Sequence, residues 1–146
     1  MFVKDRLKAN PRELITCTRA TTIIEIMDSM LANNIRSIPV LGDAGELVGI
    51  VCDKDIFRAI FDNQDSYKGI TAKDIMTEDL IIGVPDDDIN YIAGLMTKNE
   101  IRHVPIMEKD KLIGMISAGD IVKAQMKHIE IENRYLKMYI DGTHMG

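Results

Sequence analysis

The stretch from Leu14 to Val40 can be written above the stretch from Leu80 to Ile106 with the residues falling in step. At a spacing of 66 the matched pairs include Leu14/Leu80, Ile23/Ile89, Ile26/Ile92, Met30/Met96, Asn33/Asn99, Ile35/Ile101, Arg36/Arg102 and Pro39/Pro105. One residue is lost in the turn that follows. At a spacing of 65 the register resumes with Leu47/Leu112, Gly49/Gly114, Asp55/Asp120 and Ile56/Ile121. Chance does not keep a proline, an arginine and two Asp/Gly landmarks aligned over such a distance. The chain is one supersecondary unit written twice.

Each copy reads the same way. Ile23, Ile26, Met27, Met30 and Leu31 follow the spacing of an amphipathic helix, and Ile89, Ile92, Ala93 and Met96 repeat it. Thr22 and Asp88 stand just ahead of these runs as N-caps. A strand follows in each copy (Ser37–Leu41, His103–Met107), entered through a proline near its start. The polar turns Gly42-Asp43-Ala44-Gly45 and Glu108-Lys109-Asp110 lead into second strands at Leu47–Val51 and Leu112–Ile116, which makes a hairpin in each copy. A second helix begins near Asp55 or Asp120. The expected order is strand, helix, strand, strand, helix, an α/β (α+β) unit.

A unit of about 60 residues buries little core by itself, so two copies packed sheet to sheet about a pseudo-twofold axis are expected. Residues 1–65 form the first unit and 66–146 the second, with the polar stretch Asp62–Lys73 as linker. The last helix runs on through Ile129, Leu136 and Ile140, further than its counterpart in the first copy. That extension either caps the domain or adds to a subunit interface.

Composition removes several classes of function. A net charge of −5 argues against a nucleic-acid binder, whose affinity comes from Lys and Arg neutralising phosphates. Tryptophan is absent and aromatics make up 5%, which leaves no stacking platform for single strands. No apolar run approaches the roughly 18–20 residues that span a bilayer, and the charged start Met1-Phe2-Val3-Lys4-Asp5-Arg6 lacks the apolar centre of a secretory signal. A cytoplasmic protein without membrane or nucleic-acid partners is the expectation. Two cysteines, Cys17 and Cys52, suit a reduced compartment.

The most informative segment is Gly114-Met115-Ile116-Ser117-Ala118-Gly119-Asp120, with Gly49-Ile50-Val51-Cys52-Asp53-Lys54-Asp55 at the same place in the first copy. A strand stops there and a helix starts, and the first turn of a helix presents free N–H donors and the positive end of the macrodipole. A serine hydroxyl adds a donor for a phosphate oxygen. An aspartate one turn on can accept from both vicinal hydroxyls of a ribose. The competing explanation is a capping box, in which Ser117 caps the helix and Asp120 reaches back to it. A cap accounts well for Ser117 and badly for Asp55, because Cys52 replaces the serine.

The duplicated pattern resembles a tandem pair of CBS domains, a Bateman module. It is carried by Ile35-Arg36-Ser37-Ile38-Pro39 with Ile101-Arg102-His103-Val104-Pro105, and by the Gly-to-Asp endings at Asp55 and Asp120. The resemblance covers nearly the whole chain. It implies β-α-β-β-α units packed through their sheets, a homodimer, and clefts between the copies that receive AMP, ADP, ATP or other adenosyl compounds. It implies no required cofactor, and it implies regulation of an unidentified partner protein. In one cleft Asp120 would hold the ribose and Ser117 the phosphate, with Ile15, Ser37, Ile38 and Pro39 around the adenine and Asn10 nearby. The mirror cleft would use Asp55 and Cys52 with Ile81, Met76, His103, Val104 and Pro105. Cys52 departs from the family's Ser/Thr, so the Asp120 cleft ranks first. Candidate phosphate neutralisers are Arg36, Arg102, His103, Lys54, Arg58 and Lys123, although a solvated surface charge is what each suggests by itself.

No catalytic set emerges. His103, His128 and His144 are scattered, and His144 lies in a terminal Gly-Thr-His-Met-Gly with the look of a cloning remnant. Neither Cys-x-x-Cys nor His-Glu-x-x-His occurs to ligate a metal. Asp86-Asp87-Asp88 is better read as charge complementing a helix dipole. Two hypotheses remain: a nucleotide-sensing regulatory module, or a ligand-free dimer that scaffolds another protein.

Overall fold

The computed structural model describes residues 1–140, so the terminal Gly-Thr-His-Met-Gly with His144 lies outside the described residues. In chain order the elements are α1 (Val3–Ala9), β1 (Cys17–Thr18), α2 (Ile23–Asn33), β2 (Ser37–Leu41), β3 (Leu47–Cys52), α3 (Asp53–Asp62), a 3-10 turn (Tyr67–Gly69), α4 (Ala72–Ile75), α5 (Ile89–Asn99), β4 (His103–Glu108), β5 (Lys111–Ser117) and α6 (Ala118–Ile140). No helix among them is long and apolar enough to cross a membrane.

Helices α2 and α5 form where the periodicity places them, and both ends have a physical cause. Thr22 Oγ1 accepts from the Glu25 N–H at 3.3 Å while Glu25 Oε1 accepts from the Thr22 N–H at 3.2 Å, a reciprocal cap. Asp88 Oδ1 accepts from the Asn90 N–H at 2.8 Å. Both helices stop at a left-handed residue, Asn34 or Glu100, whose N–H returns to the Met30 or Met96 carbonyl. Their inward residues Ile23, Ile26 and Met30, or Ile89, Ile92 and Met96, are buried in two separate clusters, one per half.

In the first half β1 pairs parallel to β2 and β2 antiparallel to β3, with Ser37 opposite Cys52. In the second half β4 pairs antiparallel to β5, with His103 opposite Ser117. The opening strand expected of the second copy is reduced to one parallel bridge, Gly83 to Ile106. Helices α3 and α6 start at Asp53 and Ala118, ahead of Asp55 and Asp120, because those carboxylates serve as the third helical residue rather than the cap.

The division at residues 65 and 66 is crossed in both directions. The Val3 N–H bonds to the Asp87 carbonyl (2.9 Å), the Lys4 N–H to Pro85 (3.0 Å) and the Ile89 N–H to Met1 (2.9 Å). The Ala72 N–H bonds to Thr21 (2.8 Å), the Lys73 N–H to Arg19 (3.0 Å) and the Ile23 N–H to Ile70 (2.8 Å). These are the same three bonds made twice. Val3 is fully buried in the second half's cluster, whereas Tyr67, Ile70 and Ala72 pack in the first half's. Each half is thus closed by the leading segment of the other. The stretch expected as linker takes part in this closure. A unit this small leaves its core open on one side, and the exchanged segments cover it.

The same exchange explains two glycines. A Cβ at Gly114 would lie 2.8 Å from Leu7 Cδ2, and one at Gly49 would lie 2.7 Å from Met76 Sδ. The leading helices lie directly on the second hairpin strands, where no side chain fits. Beyond Ala124 the long helix α6 leaves the domain, since residues 125–137 are all exposed. It does not cap the fold.

Candidate functional site

Ser117 ends β5 and Asp120 lies in the first turn of α6, so strand and helix together fix the pair. Asp120 Oδ2 accepts from the Ser117 N–H at 2.8 Å and from the Ser117 hydroxyl at 2.9 Å, and Ser117 Oγ accepts from the Asp120 N–H at 3.2 Å. The capping reading therefore holds for Asp120. It holds for Asp55 too, whose Oδ2 accepts from the Cys52 N–H at 2.8 Å. The expectation that a cap explains Asp55 badly is corrected: the returning arm of a capping box needs only a backbone N–H, which cysteine supplies as well as serine.

The two carboxylates differ in what else they meet. Arg12 Nη2 lies 2.9 Å from Asp120 Oδ2, and Arg6 Nη2 lies 3.7 Å from Oδ1. Asp120 is 3% exposed. Burial pushes its carboxyl up, but the two Ser117 bonds and the Arg12 guanidinium outweigh that and hold it below the ordinary carboxylate range. Asp55 has no such partner. Burial raises it, and the Cys52 N–H and the more distant Arg58 reverse only part of the effect. Arg6 Nε is buried without a hydrogen-bond partner.

Beside the Asp120 junction lies a cavity of about 630 Å³. The residues from Asn10 to Ile15 form one side of it, Asn34–Ser37 with Pro39 another, and Ile113–Met115 with Ser117–Gly119 a third. The connector that lines it is the longer of two equivalent ones. Six residues (8–13) separate Leu7 from Leu14, whereas three (77–79) separate Met76 from Leu80. The short connector zips onto the sheet edge: the Ile50 N–H donates to the Thr77 carbonyl at 3.0 Å and the Thr77 N–H to the Ile50 carbonyl at 2.9 Å. Met115 is the counterpart of Ile50. Among the described residues no backbone bond ties the long connector to Met115, which lines the cavity instead.

Of the residues expected in the first cleft, Asn10, Ile15, Ser37, Pro39 and Ser117 line this cavity. Ile38 does not, because its side chain points into the first half's core at 1% exposure. Asp120 sits one hydrogen bond behind the wall, through Ser117.

The residues expected in the second cleft are placed differently. Asp55, Cys52, Ile81, Met76, Val104 and Pro105 line neither described cavity. Met76 packs on Gly49 and the first half's core, and Val104 is fully buried. His103 does line a cavity, but the first one. Its Nδ1 stands 3.9 Å from Cys52 Sγ across the two halves.

Arg36, Arg102 and Lys123 also line the first cavity, while Lys54 and Arg58 do not. Burial lowers the His103 pKa, Asp53 partly opposes that, and Arg102 and Arg36 add to the lowering, so the ring is neutral at pH 7. Two donors of the α6 first turn are already engaged, the Ala118 N–H with the Arg102 carbonyl at 2.8 Å and the Asp120 N–H with Ser117. The positive charge at this cavity therefore includes the side chains of Arg12, Arg36, Arg102 and Lys123 beside a helix terminus whose donors are partly engaged.

Burial pushes the Cys52 thiol up to about 12, with Asp55 and Asp53 adding to it, and the Cys17 thiol up to about 11. Neither is a thiolate at neutral pH. No cluster of metal-ligating side chains occurs among the described residues. Sequence reasoning missed Arg6, Leu7, Pro11 and Arg12. The one signal that could have found them is the unequal spacing that precedes Leu14 and Leu80.

Comparison with known proteins agrees with this architecture. The family model described as CBS domain matches residues 10–62 and 72–127, leaving out the exchanged α1. The mitochondrial CBS domain-containing protein CBSX3 of Arabidopsis thaliana is 33% identical over 144 residues, covering 96% of this chain and 70% of that protein. The crystal structure of the CBS-domain containing protein ATU1752 from Agrobacterium tumefaciens superposes with a TM-score of 0.81 at 28% identity, covering 85% of this chain and 92% of that one. The CBS domain pair of protein MJ0100, solved in complex with 5′-methylthioadenosine and S-adenosyl-L-methionine, has a TM-score of 0.77 at 26% identity, covering 88% and 98%.

Proposed function

This chain belongs to the CBS-domain family, a non-catalytic regulatory pair, and we propose that it binds an adenosine-containing ligand, AMP, ADP or ATP, in the cavity beside Asp120. The observation that carries this reading is the combination of an open cavity of about 630 Å³ with a buried carboxylate and arginines at its margin. That volume falls in the ordinary range for small-ligand sites. Ile15, Pro39 and Met115 offer an apolar wall for a base. Asp120 Oδ1 has no hydrogen-bond partner closer than Arg6 at 3.7 Å, so the carboxylate, which lies behind Ser117, would accept from a ribose hydroxyl once the Ser117 and Arg12 side chains turn aside. Arg12, Arg36 and Arg102 are the cations that face phosphate. The adenosyl ligands of the MJ0100 pair, a related domain pair of the same fold, support the same ligand class.

Asp120, Ser117, Asn10, Ile15, Ser37 and Pro39 meet the ligand in this reading, with Arg12 added, and the Asp55 side ranks second because Cys52 replaces the serine there and Thr77 pairs with the strand edge at Ile50. It further holds that the protein acts as a homodimer and that ligand binding changes the surface shown to a regulated protein. Such a change is bounded by the difference in ligand affinity between the two states. Thermal unfolding with AMP, ADP, ATP, NAD and S-adenosylmethionine tests the reading. At about 100 times Kd a bound ligand adds roughly 2.7 kcal/mol to stability. A response to adenine nucleotides that is lost in Asp120→Ala is expected. A flat response to all five ligands would leave the scaffold dimer instead.

A further inference from the structure

The outer face of α6 carries a second pattern. Val122, Met126, Ile129, Asn133, Leu136 and Ile140 recur at alternating steps of four and three residues, which keeps them in one line along a supercoiled helix. The five apolar members are each more than half exposed. Residues 125–137 touch the rest of the domain so little that all are exposed, and a helix of this length standing alone in water is marginal.

We infer that this face pairs with the same face of a second copy of the chain, parallel and in register at Asn133. The inference rests on the dimer reading above and adds its direction. Two observations choose the occupant. Asn133 takes an a position of the heptad, where a single asparagine meets its own counterpart in a parallel two-stranded coil. In an antiparallel pair it would face an apolar residue and lose that hydrogen bond. Flanking the stripe, Glu132 falls at g and Lys137 at the following e, so a parallel pair sets Glu132 of each copy against Lys137 of the other, twice. The stripe is short for a free-standing coil. It works as a continuation of a domain contact, because its first members, Val122 and Met126, correspond to the exposed Phe57 and Phe61 on α3.

The test uses the full chain carrying Leu136→Cys under mild oxidation, with the parent (Cys17 and Cys52 intact) and Ile131→Cys, on the opposite side of α6, as controls. Sedimentation equilibrium is run on each. A dimer by sedimentation that forms a disulfide-linked species with Leu136→Cys, and not with either control, is expected. Glu132→Lys should weaken that dimer by roughly two- to ten-fold, and adding Lys137→Glu should restore it. A dimer in which Leu136→Cys links no better than Ile131→Cys overturns the parallel pairing while leaving the dimer standing. A chain that stays monomeric at every concentration overturns both.

Discussion

Arg12 closes over Asp120: its Nη2 stands 2.9 Å from the carboxylate Oδ2, while the carboxylate itself is almost wholly buried. The connector that carries Arg12 is the longer of two equivalent connectors, and its residues line the cavity beside the pair.

Arg12→Ala removes the partner of a carboxylate that is 3% exposed, so although the guanidinium is itself about half exposed, the loss of stability should reach about 1–2 kcal/mol. It should also change ligand choice. Asp120 is released for ribose while one phosphate partner disappears. The preference for AMP over adenosine is expected to fall about ten-fold, the worth of one charge-assisted hydrogen bond. Isothermal titration with both ligands measures it, and an unchanged preference would show that Arg12 does not meet the phosphate.

Asp120 and Asp55 should respond oppositely to pH. Hydrogen bonds and Arg12 hold Asp120 below its unfolded value despite burial, so its ionised form stabilises the fold. That contribution is present above the unfolded value, near 3.9, and is lost as pH falls through the lower folded value. Burial raises Asp55, so at neutral pH its charge weakens the fold, and the penalty is relieved as pH falls through the raised value. At pH 7 Asp120→Asn is therefore expected to lower the urea midpoint and Asp55→Asn to leave it unchanged or raise it. Both differences should shrink toward pH 3. A larger loss at pH 7 from Asp55→Asn than from Asp120→Asn would contradict this assignment of charges.

Deleting Asn10, Pro11 and Arg12 makes the two connectors equal in length. The shortened segment should then pair with the strand edge at Met115 as Thr77 pairs with Ile50. The expected variant unfolds at the parent temperature or above and no longer shifts with any adenine nucleotide. A ligand response as large as the parent's would show that the connector does not open the site.

Val3→Ala tests the exchange. Val3 is fully buried in the second half's cluster, and shortening it should cost about 2 kcal/mol through lost burial and the cavity left behind. Hydrogen exchange should report the loss in β4 and β5 before β2 and β3. Equal loss in both hairpins would mean that α1 does not belong to the second half.

Much of the fold is readable from local order. The helix faces at Ile23–Met30 and Ile89–Met96, the caps at Thr22 and Asp88 and the two hairpins all follow from spacings within a few residues. The exchanged segments escaped because α1 has seven residues and α4 four, too few for a period to show. Their register also differs from that of the main repeat. At the site, Ser117 and Asp120 were visible as a motif, but the same four residues encode a helix cap, and the structure makes them one. The heptad on α6 draws its meaning from exposure, which periodicity does not report.

A duplicated α/β unit with a carboxylate at the strand-to-helix junction of each copy is legible along the chain, because hydrophobic period, capping and turn chemistry act between near neighbours. What near neighbours do not encode is that the Asp120 junction lies beside a cavity lined by the long connector, while the short connector pairs with the strand edge at Ile50. That outcome depends on contacts such as Arg12 with Asp120 and Thr77 with Ile50, between residues far apart in the chain. Such contacts are set by the path a connector takes through space, and residue type along the chain carries no direct record of that path.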